Sequence, residues 1–425
     1  MAEHRFEQSG PAGPEIDWWT MLTDPEYLKS PYADLKRIRE QKPVHQDPVT
    51  GVYFVLGYNE FRQMATAPEM GRDTRLWSNG WNRDEVRQND PLTYNLFSEF
   101  QPQMTNANAP DHRRQRGVYE KAYRTSDLQS FLPMIEAECA RLLDALPPGE
   151  PVDFMDGFAH PLSRSLARIA FQIPPDMEDQ VAEWIAALGL IGNIIMSPEQ
   201  KQNAQTALRE FKVYLRDRLA SGIDRPGEGF VGLAIAAFAN GTMDEDETLN
   251  NLITLIAGGT ATATLLGNGL LTLLRHPDQF ARLRANRDLL NPAIEEMLRF
   301  EPGCSFILRV AIKDFQCGEV NIPAGSLAIG LMGATNRDPE RFADPDVFDI
   351  ERQPNPHNVF GAGAHICLGK AQVRLTAKAA FTALMDRYDH IELAGDPVWW
   401  GHRSDQHGLH TLPLRLGALR LGNGT

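Results

Sequence analysis

From Thr248 to Leu274 the chain carries no charged residue, and a stretch of that length must either cross a membrane or run through a folded core. Its own composition decides between the two. Asn250, Asn251, the paired Gly258 and Gly259 and several threonines dilute its apolar character, and Asp244-Glu245-Asp246-Glu247 just before it suits the positive end of a helix dipole in water. The run therefore reads as one long helix through the middle of a globule. A chain of 425 residues, 42% hydrophobic and 23% charged, can build a sizeable core around it. The formal charge of -14 argues against nucleic acid or an anionic membrane as a partner.

Around this run the pattern is mainly helical. Apolar residues recur at helical spacing over 31–41, from about Tyr58, over 127–146 (Leu128, Phe131, Leu132, Ile135, Leu142, Leu143), over 161–171 and over 177–190. Strands are few: Tyr53-Phe54-Val55-Leu56 early, then short alternations after Arg309 broken by Gly318, Pro323 and Gly325. The Pro- and Asp-rich stretch 337–358 reads as a long loop, which needs a functional reason. A helix over about 368–388 and a hairpin from about Val398 close the chain. Residues 1–16 lack the apolar stretch of a secretory signal and read as a flexible tail, leaving 17–425 as a single domain. Four scattered cysteines, Cys139, Cys304, Cys317 and Cys367, are too few for a disulfide framework and fit a reducing cytoplasm.

One cysteine stands in an unusual setting, Phe360-Gly361-Ala362-Gly363-Ala364-His365-Ile366-Cys367-Leu368-Gly369. A buried structural thiol is the commonest fate of a free cysteine, but it does not call for these neighbours. A zinc site recruiting His357, His365 and Cys367 matches no ordinary four-ligand spacing. A phosphate loop fails because Ala364 stands where glycine is needed and Ala371, without a hydroxyl, follows Lys370. An iron-binding thiolate accounts for the whole run: Gly363 and Gly369 let backbone approach a flat macrocycle and aim amides at sulfur, while Phe360 shields it.

The run resembles the haem-binding signature of the cytochromes P450, in which Phe, two Gly, a basic residue, the Cys and a further Gly recur at this spacing. The resemblance extends over essentially the whole chain. It implies a mainly α fold with a smaller β region, the cytochrome P450 fold, with haem b held between the long central helix and the Cys-loop helix and its iron ligated by Cys367. Glu296-Met297-Leu298-Arg299 resembles the family's Glu-x-x-Arg motif, with Arg352 as third member of a structural charge network. His112, Arg116 and Arg309, with His365 in the Cys loop, fall where that family binds haem propionates, for which charge-assisted hydrogen bonds are the physical basis.

The sequence departs from the family in the central helix. Where an acid and an alcohol usually deliver protons, it reads Ala257-Gly258-Gly259-Thr260-Ala261-Thr262. Without gaps, Thr260 takes the acid's place and Ala261 the alcohol's; a register shifted by one would make Thr262 the alcohol, and the acid is absent either way. Loss of such a relay costs ~10²–10⁴ in rate, so the substrate's own hydroxyl, a water held by Thr260, or peroxide as oxidant is expected to stand in. The resemblance places Trp81, Phe97 and Phe100, Ala257, and Ser305 and Phe306 at the substrate, an aromatic and sparsely polar set that also draws in Trp77 and Tyr94.

The expected activity is monooxygenation, inserting one atom of O2 into a small hydrophobic, aromatic-leaning compound by hydroxylation or oxidative O-demethylation. No flavin or nicotinamide fingerprint is visible, so electrons are expected from a ferredoxin and its ferredoxin reductase. They would dock on the basic residues Arg113, Arg114, Lys121, Arg124, Lys370 and Arg374 of a cytoplasmic monomer. A peroxide-driven peroxygenase or oxidative-coupling enzyme, and a non-enzymatic haem-based binding or sensing protein, are the competing readings.

Overall fold

The computed structural model describes residues 16–124, 128–147, 149–221, 225–259, 261–401 and 403–417. The expected tail over 1–16 therefore lies outside the described residues except for Ile16, and so does Thr260.

Helices dominate, and among the described residues twelve short strands gather into four small sheets. The strands are β1 (Val44–Gln46), β2 (Tyr53–Val55), β3 (Met70–Gly71), β4 (Pro151–Asp153), β5 (Phe306–Ala311), β6 (Phe315–Cys317), β7 (Val320–Ile322), β8 (Leu327–Leu331), β9 (Ile391–Leu393), β10 (Val398–Trp399), β11 (Leu409–Thr411) and β12 (Pro413–Leu416). The largest sheet has the order β1-β2-β8-β5-β3, with β2 parallel to β8 and every other pair antiparallel. The expected last hairpin is β10–β11, after which β12 joins β4 and β9. Trp18 and Phe54, stacked with centroids 4.0 Å apart, cover one face of the large sheet together with Leu22, Ile329 and Leu331.

The uncharged run is helical over Glu245–Gly258 and over Ala261–Arg275, and Gly259, which follows the first segment, keeps right-handed helical dihedrals (φ −62°, ψ −27°). Together they are long and apolar enough, by length and composition, to cross a membrane, yet 71% of the most apolar window is buried inside the protein. The acidic lead-in caps the first segment: the Asp244 carboxylate accepts from the Glu247 amide at 2.8 Å and Glu247 accepts from the Asp244 amide at 3.1 Å.

This central helix organises the elements around it. Asn251 accepts from the Met104 amide at 2.9 Å and donates to Gln115 at 2.8 Å, while Asn250 donates to the carbonyls of Glu99 (3.0 Å) and Pro102 (3.1 Å). The two asparagines thus fix the segment leading into the helix Asp111–Tyr119. On its other flank the second segment packs against the helices Leu290–Phe300 and Lys370–Arg387 through Leu266, Leu270, Met297, Ala380 and Phe381.

Candidate functional site

The expected long loop is present. After a short helix at Met332–Thr335 no regular element intervenes until the 3-10 turn Gly363–His365. The cysteine loop is closed by two backbone bonds, Cys367 N–H to the Phe360 carbonyl at 2.8 Å and Gly361 N–H to Asn358 at 2.7 Å. Gly363 has φ +71°, and a Cβ there would lie 2.7 Å from the Ala65 carbonyl and 3.1 Å from Thr66 Cα. Its smallness thus serves close packing on the helix Tyr58–Thr66.

Cys367 is exposed to solvent in a recess that protein surrounds on most sides. Burial pushes its thiol up; the Gly369 amide and the charges of Arg116, Lys370 and Arg374 oppose that. The 18-residue helix Lys370–Arg387 starts three residues after the sulfur and directs its positive end toward the loop. The Arg374 guanidinium lies 4.5 Å from the Phe360 ring centroid and is itself held by Glu295 at 2.6 and 2.7 Å.

Glu296, Arg299 and Arg352 come together, and the first two are completely buried. Arg299 grips Glu296 in a two-point pair at 2.8 and 2.7 Å and donates to the carbonyls of Asn336, Pro345 and Val347. Arg352 reaches the same carboxylate at 3.2 Å and the carbonyls of Ala343, Asp344 and Val347. One ion pair thereby pins the loop that leads into the cysteine.

His112 and His365 are neighbours, with ring centroids 3.9 Å apart. Burial, then the charges of Arg116, Arg309 and Arg72, hold His112 down to about 4, with Glu120 pulling the other way. Burial and then Arg72, His112, Arg309 and Arg116 hold His365 down to about 2. Arg116 meets Glu120 at 3.0 Å. Arg72 and Arg309 bond only carbonyls and have no carboxylate partner among the described residues. The result is a buried group of cations short of negative charge, the electrostatic requirement for binding carboxylates. Sequence reasoning found His112, Arg116, Arg309 and His365 but missed Arg72, which belongs to no motif.

On the central helix Gly258 and Ala261 are exposed, and a Cβ on Gly258 would meet nothing within 4 Å. Thr262 is buried, and Ala257 is half-buried. Trp81 stacks on Phe97 with centroids 5.9 Å apart, meets Tyr94 edge-on at 6.1 Å and donates its indole N–H to Thr74 at 2.9 Å. Phe100 packs against the core cluster that contains Leu96, Leu208 and Leu252. Ser305 is half-buried, its amide bonded to Asp405. Phe306 is a correction: it lies in the sheet core with Trp18, Phe54 and Leu331, because strand β5 turns it to that face. The basic surface is smaller than expected too, since Arg114 is paired with Glu247 and Asp111 and Arg374 with Glu295.

A thiol with an amide at its sulfur, cations lacking counter-ions and a helix face bare of side chains at Gly258 are a donor set that fits a flat iron macrocycle with two carboxylates. The sequence pattern of cytochrome P450 matches residues 233–413. The chain is 31% identical over 376 residues to the biotin biosynthesis cytochrome P450 of Bacillus subtilis, covering 87% of this chain and 92% of that one. It is 32% identical to cytochrome P450 107B1 of Saccharopolyspora erythraea, over 93% and 97% of the two chains. Among solved structures, CxnD, a P450 for C–S bond formation in chuangxinmycin biosynthesis, superposes with a TM-score of 0.83 at 29% identity over 93% of this chain and 97% of that chain. P450BioI in complex with hexadec-9Z-enoic acid ligated acyl carrier protein gives 0.83 at 28%, over 92% and 100%. Sequence kinship over nearly the full length and a shared fold lead to one conclusion: the chain belongs to the cytochrome P450 family of oxidoreductases, whose cofactor is a thiolate-ligated haem b.

Proposed function

We propose that this P450 is a monooxygenase that inserts one atom of O2 into a small hydrophobic, aromatic-leaning substrate, by hydroxylation or oxidative O-demethylation, with electrons from a ferredoxin and its reductase. The observation that carries the substrate class is the Trp81, Tyr94 and Phe97 cluster, two rings gathered on Trp81 in the segment before the His112 helix. Relatives named for biotin and polyketide biosynthesis and a 6-deoxyerythronolide B hydroxylase make a biosynthetic intermediate the natural kind of substrate.

In this reading Cys367 ligates the iron, Phe360 covers the sulfur, and the Gly369 amide donates to it and moderates its basicity. His112, Arg116, Arg309 and His365 bind the propionates. Glu296, Arg299 and Arg352 hold the cysteine loop in place. When bound, the haem supplies the activation of O2. The chain's own part is to exclude water, orient the substrate and deliver protons, and the last of these is where it is unusual.

Ala261 carries no hydroxyl, and burial of Thr262 supports the unshifted register in which Ala261 stands at the alcohol position. Proton delivery then falls to a substrate hydroxyl or to water near Thr260. The same observation favours a second reading, use of peroxide as oxidant. The ferredoxin would approach over Arg113, Lys121, Arg124 and Lys370. We further take residues 17–425 as one haem-binding domain that acts as a cytoplasmic monomer.

The test is a ferric spectral titration with small aromatics, terpenoids, steroids and fatty acids. A shift to high spin with aromatics carrying a hydroxyl or methoxy group supports the proposal; a shift with fatty acids alone overturns the substrate class. Product formed with ferredoxin, its reductase and NADH, but not with peroxide, decides for the first oxidant route.

A further inference from the structure

Arg72 stands immediately after strand β3, which pairs antiparallel with β5 so that Gly71 faces Val310. Continuing that register by one residue brings Arg72 opposite Arg309. Like charges directly opposite one another across two strands repel, and both are taken out of bulk water; burial and Arg72 together push the Arg309 guanidinium down to about 9. A buried charge left unpaired is costly, and an anion between the two would relieve that cost.

Arg72 is also fixed in place. Its amide donates to Asn108 Oδ1 at 2.7 Å, its Nε to the Thr105 carbonyl at 2.9 Å and its Nη1 to the Leu308 carbonyl at 3.0 Å. Arg309 Nη1 donates to that same Leu308 carbonyl at 2.9 Å. Carbonyls satisfy donors but do not neutralise charge. The adjacent carboxylate, Asp73, is engaged by Arg75 at 2.7 Å and by Gln101 at 3.1 Å. Among the carboxylates and guanidiniums here, Arg72, Arg116 and Arg309 outnumber Glu120 by two charges, which two propionates would balance.

We infer that Arg72 is a third arginine on the haem propionates, slowing haem loss and raising the haem's reduction potential. The inference rests on the reading of His112, Arg116 and Arg309 as propionate ligands. A fixed cation at a propionate disfavours the more positive ferric state relative to the ferrous one, so its removal moves the potential to more negative values.

The experiment compares Arg72→Met, Arg72→Lys, Arg72→Gln and Arg309→Met holoproteins by potentiometric titration and by haem transfer to excess apomyoglobin. Loss of one charge-assisted contact is expected to speed haem transfer by about 10- to 100-fold and to lower the potential in Arg72→Met, with Arg72→Lys restoring most of the potential. If Arg72→Met fails to hold haem, the comparison of Arg72→Lys with Arg72→Gln reads the same charge effect. Unchanged potential and haem transfer in Arg72→Met, alongside altered values in Arg309→Met, overturn the role of Arg72 and leave the propionate reading standing. No change in either variant overturns that reading itself. Weakened binding of a long-chain carboxylate by Arg72→Met, with the potential unmoved, makes Arg72 a substrate contact and also overturns the inference.

Discussion

Single side chains carry the chemistry here, and two of them give direct tests. Arg299 and Glu296 are both fully out of water, and removal of one member of such a pair costs roughly 3–5 kcal/mol because the other charge is left unpaired. Arg299→Ala is therefore expected to lose haem, read as the ratio of Soret to protein absorbance; a variant with full haem content would remove this network from the account of the cysteine loop. At the central helix, Thr260→Asp with Ala261→Thr rebuilds an acid and alcohol pair and should raise product formed per NADH several-fold, a small part of the ~10²–10⁴ such relays contribute. A fall in that ratio would mean that this protein delivers protons by a route the new groups obstruct. The residues Cys367, Glu296, Arg299, His112 and Arg309 were legible in the sequence because each stands in a short stretch that resembles a cytochrome P450 motif. Arg72 was not, because its significance comes from pairing of β3 with β5 across more than 230 positions, which no local pattern encodes.

At the scale of elements, the helix ends and the tight packing points matter most. The capping box at Asp244 satisfies two amides at the start of the central helix. Asp244→Ala should cost about 1 kcal/mol, measured by urea unfolding with the slope unchanged. Gly363 is more demanding: Ala there must adopt φ near +71° and place its Cβ against the Ala65 carbonyl. Backbone strain of this kind costs of order 1–3 kcal/mol, so Gly363→Ala should lower both Tm and haem content, and a variant with native values of both would show that the loop can shift. Helix limits from periodicity agree with the observed elements to within a few residues for Tyr32–Gln41, Glu178–Gly189 and Lys370–Arg387. The central helix was legible as well: apolar periodicity carries through Gly258-Gly259, and Gly259 keeps right-handed helical dihedrals after the first segment.

For the whole molecule, charge pairing near the cysteine loop sets the response to acid. Burial alone would raise the Glu295 carboxyl, but hydrogen bonds and charge from Arg374 and His357 outweigh it and hold Glu295 down to about 2. A depressed carboxyl contributes stability that is fully present above its unfolded value near 4.5 and is lost as pH falls through about 2. Glu295→Gln should therefore lower stability at pH 7 by on the order of 1–3 kcal/mol, and the gap to the parent should close between pH 5 and 2 in thermal melts; a gap independent of pH would show that shape, not charge, is what Glu295 supplies. Long-range contacts join the chain's distant parts elsewhere as well: Arg403 donates to the Gly189 carbonyl at 3.0 Å, Ser404 to Asn193 at 3.0 Å, and Asn268 to the His407 carbonyl at 2.8 Å. By itself the sequence determined the helical class, through periodicity along the chain, and, through its resemblance to the cytochromes P450, pointed to the cysteine loop and to the Glu296, Arg299 and Arg352 network. Only the tertiary structure decided that Phe306 belongs to the core, that Gly363 serves a helix contact, that Thr262 is buried, and that Arg72 joins Arg309, because burial and electrostatics depend on which distant segments meet.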